Sequence, residues 1–231
     1  MTGIICALNI EVDGLIAKMQ NPQTQTFAKM NYTSGTIGDA EVVAVECGIG
    51  KVNAAMCAQI MIDRYSPDVI INSGVAGGLS QNVDVYDIVI AKDVVQHDMD
   101  TTAIDDPRGA ISFNDEKRTF IPTDGGVAKK LTEVCRHMDD TKVFYGRIAT
   151  GDVFVQEKAH RRSIGEEFSA DACEMEGGAI GQVCYRNGVP FGILRCISDS
   201  INNNDAEDFI IFKDKAAAKS IKIILDFLKK N

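Results

Sequence analysis

Pro67-Asp68-Val69-Ile70-Ile71-Asn72-Ser73-Gly74-Val75-Ala76-Gly77-Gly78 decides the fold. A proline, then a β-branched apolar run, then a glycine-rich stretch predict a short buried strand over Asp68–Asn72 that empties into a loop. Strands apolar on both faces belong to sheets covered by helices on both sides. Thr2–Leu8 is a second run of this kind. After it, Ile10–Met19 sets Val12, Leu15, Ile16 and Met19 on one side of a helix. Asn31–Ile37 and Glu41–Cys47 read as two strands around a Gly38-Asp39 turn, and Lys51–Tyr65 as a helix.

Further along, Asp87–Val95 and Val143–Thr150 read as strands. Between them lie the polar Asp98–Pro122, the longest candidate loop, and a helix over Asp124–Met138 capped by Thr123 or Asp124. Glu174–Asn187 reads as a helix stopped by Asn187-Gly188, and Phe191–Ile197 as a strand. Ser198–Asp208 reads as a loop. Phe209–Lys229 reads as an amphipathic helix, with Ile210, Ile211, Ile221, Ile224, Leu225 and Leu228 apolar. Strands alternating with helices predict an α/β fold in three layers, with residues 1–231 as a single domain.

The net charge of −9 argues against nucleic acid as a partner, because a phosphate backbone demands basic surface. An uncharged nucleoside remains compatible. No window approaches the apolar length of a membrane span, and the first residues lack the pattern of a signal peptide. Seven cysteines, an odd number without a C-x-x-C pair, sit mostly in apolar runs such as Ile4-Ile5-Cys6-Ala7-Leu8. They read as buried free thiols in a reducing compartment, so a cytoplasmic location is expected.

In α/β proteins, sites gather in the polar segments just after apolar strands. Asp199, after the apolar Phe191–Ile197, is either a loop or helix cap or an acid desolvated enough to hold its proton and donate it. Glu174 and Glu176 flank Met175 where a helix begins; they are either a charged first turn or carboxylates reaching a pocket. Glu11 is, alone, an ordinary first-turn acid. Gly48-Ile49-Gly50-Lys51 resembles the tail of a phosphate loop, but the upstream glycine and the hydroxyl after the lysine are missing, which excludes a triphosphate site. His97-Asp98-Met99-Asp100 matches no zinc or calcium spacing, and no metal is expected from three histidines. Ser198 lacks the G-x-S-x-G setting of a nucleophile. Phe154 can stack a flat ring or serve as core.

Taken in order, these pieces resemble the 5'-methylthioadenosine/S-adenosylhomocysteine nucleosidases of the nucleoside phosphorylase superfamily. The resemblance covers nearly the whole chain. It rests on Ile5–Leu8 with Glu11, Glu46–Val52, Pro67–Gly78, His97-Asp98, Gly151-Asp152-Val153-Phe154, Glu174-Met175-Glu176 and Arg195-Cys196-Ile197-Ser198-Asp199. It implies a three-layer α/β/α sandwich with a mixed central sheet, and an N-glycosyl hydrolase of methionine salvage. Asp199 would protonate adenine N7, and Glu11 would orient and deprotonate water, with Arg195 beside that water. Glu176 would bind the ribose hydroxyls, with Met175 beneath the sugar and Glu174 next to it. Ser198 would place the acid and the purine. Phe154 would stack the adenine, the Val155 backbone would read its edge, and Ala76 and Gly77 would line it. Leu8, Ile49 and Phe209 would surround the 5'-thio group.

The resemblance implies no metal or organic cofactor. It implies a homodimer, in which the Asp98–Pro122 loop near Ile104 completes the partner's 5' pocket. Three positions depart from the pattern: Val75 replaces a frequent serine near the water, Leu8 a frequent methionine and Ile104 a frequent aromatic residue. Two alternatives remain at this point. One is a purine nucleoside phosphorylase; the other is a hydrolase of a related 6-aminopurine nucleoside such as 5'-deoxyadenosine or aminofutalosine.

Overall fold

The computed structural model describes residues 1–136, 138, 141–202 and 205–229, with 205–208 as backbone alone. In chain order the strands are β1 (Thr2–Cys6), β2 (Gln20–Phe27), β3 (Met30–Ile37), β4 (Ala40–Glu46), β5 (Val69–Gly78), β6 (Ile88–Gln96), β7 (Ile111–Ser112), β8 (Lys117–Arg118), β9 (Ile121–Pro122), β10 (Val143–Thr150), β11 (Ala172–Glu174) and β12 (Phe191–Ser200). The helices are α1 (Asn9–Ile16), α2 (Lys51–Tyr65), α3 (Gly125–Cys135), α4 (Lys158–Phe168), α5 (Gly177–Asn187) and α6 (Asp205–Lys229).

The main sheet runs β11-β10-β6-β12-β5-β1-β4-β3-β2, with β9 added beside β6. β1 pairs in parallel with β4 and β5, whereas β2, β3 and β4 form an antiparallel meander, so the sheet is mixed. Alternation along β1 explains the layers. Ile5 joins Val43, Val45 and Ile70 on the face where Cys57, Ala58 and Met61 of α2 and Ile180 and Cys184 of α5 pack. Ile4 and Cys6 join Val42, Ala44 and Ile71 against Val12 and Leu15 of α1, Leu131 of α3, and Ile223 and Ile224 of α6. Helix–sheet–helix is the three-layer architecture expected.

The far end of β5 gives the sheet a second property. Gly77 and Gly78 pair with Cys173 and Ala172 of β11, which also pairs with β10. The strands β5, β12, β6, β10 and β11 therefore close into a ring. Gly74–Gly78, expected as a loop, is consequently the second half of a ten-residue strand. Ser198 likewise does not begin a loop: β12 extends through Ser200, and residues 203 and 204 lie outside the described residues. Glu174 ends β11 rather than opening a helix, and α5 starts at Gly177. Within 98–122 there are a 3-10 turn at Thr102–Ile104, the β7–β8 hairpin and β9, so that segment is not a plain loop.

Other local expectations match. Asp124 caps α3 by accepting the Val127 amide at 2.9 Å, and Gly188 ends α5 with φ +66°. Ile210 and Ile211, expected on the apolar side of the last helix, are instead mostly exposed.

Candidate active site

The candidate site lies at the mouth of the closed ring. β12 has a register shift between Ile197 and Asp199 against Ala76 and Gly77 of β5. In a regular strand, Ser198 and Asp199 would face opposite sides; a bulge lets neighbouring residues turn the same way. Both line one pocket here, and both are buried. Ser198 Oγ donates to Asp199 Oδ1 at 2.7 Å and lies 3.3 Å from the Ala76 carbonyl. The other carboxylate oxygen pairs with the Arg161 guanidinium, itself 1% exposed. Asp199 thus sits between a hydroxyl donor and a guanidinium on the pocket wall.

Glu11 enters from the first turn of α1. Its Oε2 accepts the amides of Ala7 and Leu8 at 3.0 and 2.9 Å, and its Oε1 accepts the amide of Val75 at 2.9 Å. Burial raises its pKa, and the Arg195 charge and these amides oppose the rise. Gly74 permits the approach: a Cβ there would stand 2.5 Å from Glu11 Oε1 and 2.6 Å from Arg195 Nη1.

Glu176 precedes α5 and accepts the Gly50 amide at 2.9 Å. Burial, with the Glu174 charge next, pushes its pKa up to about 7. The glycine-rich turn at Gly48–Lys51, where Gly50 has φ +99°, thus presents an amide to a carboxylate rather than to phosphate. That turn is anchored from outside: Lys51 N donates to Asp152, Asp152 N donates to Asp98, and Lys51 Nζ pairs with Asp98 at 2.7 Å.

Glu174 and Arg195 occupy different places from those the sequence suggests. Glu174 reaches the pocket wall, yet it accepts from the Thr150 hydroxyl, the Glu176 and Gly177 amides and Arg195. Its oxygens are committed to holding the start of α5. Arg195 does not line the pocket. It lies behind the wall, donating to Asn72 Oδ1 at 2.6 Å and to Glu174, with Glu176 at 3.7 Å. A buried cation there offsets a cluster of acids.

The remaining expected residues line the same cavity: Leu8, Ile49 and Phe209, Val75, Ala76 and Gly77 of β5, and Met175, Phe154 and Val155. The Phe154 ring meets Phe209 edge-on at 5.4 Å and is 46% exposed. Ala7, Val153, Cys173 and Arg161 also line it and were not anticipated. Arg161 sits in the segment Lys158-Ala159-His160-Arg161-Arg162, which reads as a solvated charge run. Its signal was its place three and seven residues before Ile164 and Phe168, the other buried positions of α4.

Residues 2–229 match the phosphorylase superfamily. The 5'-methylthioadenosine/S-adenosylhomocysteine nucleosidase of Shewanella halifaxensis (strain HAW-EB4) is 36% identical over 228 residues, 98% of each chain. Among solved structures, the nucleosidase of the same name from Neisseria meningitidis, in complex with methylthio-immucillin-A, superposes with a TM-score of 0.93 at 30% identity. That alignment covers 100% of this chain and 99% of the other. The futalosine hydrolase of Helicobacter pylori strain 26695 gives 0.92 at 30% identity, covering 100% and 97%. With an acid-lined pocket at the mouth of such a sheet and relatives matched from end to end, the chain belongs to the phosphorylase superfamily and, within it, to the 5'-methylthioadenosine/S-adenosylhomocysteine nucleosidases.

Proposed function

We propose that this chain, acting as one domain, hydrolyses the N-glycosidic bond of 5'-methylthioadenosine and S-adenosylhomocysteine, releasing adenine and the thioribose product. The observation that carries the proposal is the meeting of Glu11, Glu176 and Asp199, from three distant parts of the sequence, around one pocket. Cleavage of an N-ribosidic bond passes through an oxocarbenium-like sugar, for which one carboxyl group assists the leaving group and another activates water. Asp199 delivers a proton to adenine N7. Glu11 holds and deprotonates the attacking water, aimed by its three backbone amides. Glu176 binds the ribose hydroxyls over Met175. Arg195 balances the acids from behind the wall. Phe154 stacks the base, and the Val155 backbone reads its edge. Leu8, Ile49 and Phe209 take the apolar 5' substituent.

Water rather than phosphate is the nucleophile. Glu11 stands where phosphate would bind, and a carboxylate a few ångströms from a phosphate costs about 1–4 kcal/mol per charge pair. Incubating the nucleoside with and without phosphate tests this: free sugar in both is expected, and sugar 1-phosphate would make the chain a phosphorylase. The fold match to a futalosine hydrolase supports a second reading, a related 6-aminopurine nucleoside as substrate, which the same assay resolves with a substrate panel.

The functional unit is a homodimer in which segment 98–122 of one copy closes the partner's 5' pocket. Supporting this are exposed apolar side chains: Ile104 in that segment, and Ile49, Val52 and Met56 along and beside α2. No helix among the described residues is long and apolar enough to cross a membrane. All seven cysteines are buried free thiols, which fits the cytoplasm.

A further inference from the structure

Arg161 is a buried cation on the pocket wall, and two of its bonds go to groups with related duties. Its Nε donates to the Val155 carbonyl at 2.7 Å, and its Nη2 donates to Asp199 Oδ2. Nε and Nη2 lie along one edge of the planar guanidinium, so one rigid fork sets the carbonyl and the carboxylate side by side. Both are acceptors. A carbonyl and a carboxylate held together match an exocyclic amino group, which offers two N–H donors, and they repel a 6-oxo group. Gly77 keeps the corner open: a Cβ there would lie 3.0 Å from Asp199 Oδ2 and 3.2 Å from Arg161 Nη1.

We infer that Arg161 is a positioning residue for base recognition, fixing the spacing of the Val155 carbonyl and the Asp199 carboxylate so that the pocket selects 6-aminopurines. This rests on the nucleosidase function proposed above. Arg161 acts through Val155 and Asp199. Among the described residues, the groups facing Asp199 are Arg161 from α4, the Cys173 thiol from β11 and the Ser198 hydroxyl from β12.

The test measures kcat/KM for 5'-methylthioadenosine and its 6-oxo counterpart, 5'-methylthioinosine, with wild type, R161Q and R161K. In R161Q the amino/oxo preference falls at least about tenfold, because one recognition acceptor loses its placement. R161K retains a cation, but a single ammonium cannot reproduce the fork, and the preference still falls. A folded R161Q with wild-type preference overturns the inference whatever its rate. If R161Q does not fold, R161K decides alone: wild-type preference there overturns the inference, and a lowered one supports it. A wild-type protein that releases base from neither nucleoside removes the nucleosidase function itself, a different result from an unchanged ratio.

Discussion

Glu11 Oε1 accepts the backbone amide of Val75 at 2.9 Å, joining the first turn of α1 to the middle of β5 across 64 residues of chain. With the amides of Ala7 and Leu8 on the other oxygen, the carboxylate has three fixed donors and cannot swing. The contact with Val75 is made by the backbone, so it survives the exchange of a serine for valine at that position. Glu11→Gln is therefore more than a loss of basicity. Its NH₂ group must face at least one amide N–H, leaving a buried donor without an acceptor. Adenine release falls about 10²–10⁴-fold, and stability falls by about 1–3 kcal/mol. Urea unfolding beside an activity assay checks both, and an E11Q protein as active as wild type removes Glu11 from the chemistry.

If Asp199 is the proton donor to N7, as proposed, Asp199→Asn lowers release of adenine by about 10²–10⁴-fold. The pairing of Asp199 with Arg161, both almost fully buried, makes the same change costly to the fold. Removing one partner of a buried pair strands the other charge, at a cost of about 3–5 kcal/mol. Calorimetry should show a lowered Tm for D199N, with partial recovery in the double variant D199N/R161Q. An undisturbed Tm in D199N would mean that the pair is not maintained in solution.

Glu176 makes stability depend on pH in a defined direction. In the folded protein, burial holds its proton up to about pH 7, whereas the unfolded chain releases it near 4.5. Between those values the folded state binds more protons than the unfolded state, so stability falls as pH rises through the window. Its contribution is complete below about 4.5 and gone above about 7, and it amounts to a few kcal/mol. Glu176→Gln lacks it. The Tm difference between wild type and E176Q should move against wild type from pH 4.5 to 7 and then stay level. Parallel Tm curves would show that Glu176 ionises as it does in water.

The fold was legible because its central strands are apolar on both faces and its helices carry clear stripes. β2 was not: Gln20–Phe27 is an exposed, mainly polar edge strand with no alternation to follow. α4 was hidden for a related reason, since a buried arginine occupies one of its three inward positions. The glycines of β5 and the polar residues closing β12 read as loops because pairing between distant strands, which sequence spacing does not display, holds them extended. The acids were recognisable from their order along the chain. Arg195 was named with them, but its pairing with Glu174 and the whole part of Arg161 were not, because those contacts are made only after the ring closes.

Phe154 separates affinity from chemistry. Its ring is 46% exposed at the pocket mouth and touches Phe209 edge-on, so little core depends on it. Phe154→Ala should leave stability within about 0.5 kcal/mol of wild type. Losing a stacking platform costs about 1–3 kcal/mol of base binding, which corresponds to a rise in KM of roughly 10–100-fold. The acids proposed for the chemistry stay where they are: Glu11 is held by backbone amides and Asp199 by Ser198 and Arg161, none of which involves Phe154. The loss should therefore appear mainly in KM, with kcat changed far less. Steady-state kinetics on 5'-methylthioadenosine decides it. An unchanged KM would mean that the base does not lie against this ring, and a collapse of kcat alone would place Phe154 in the orientation of the reacting bond instead.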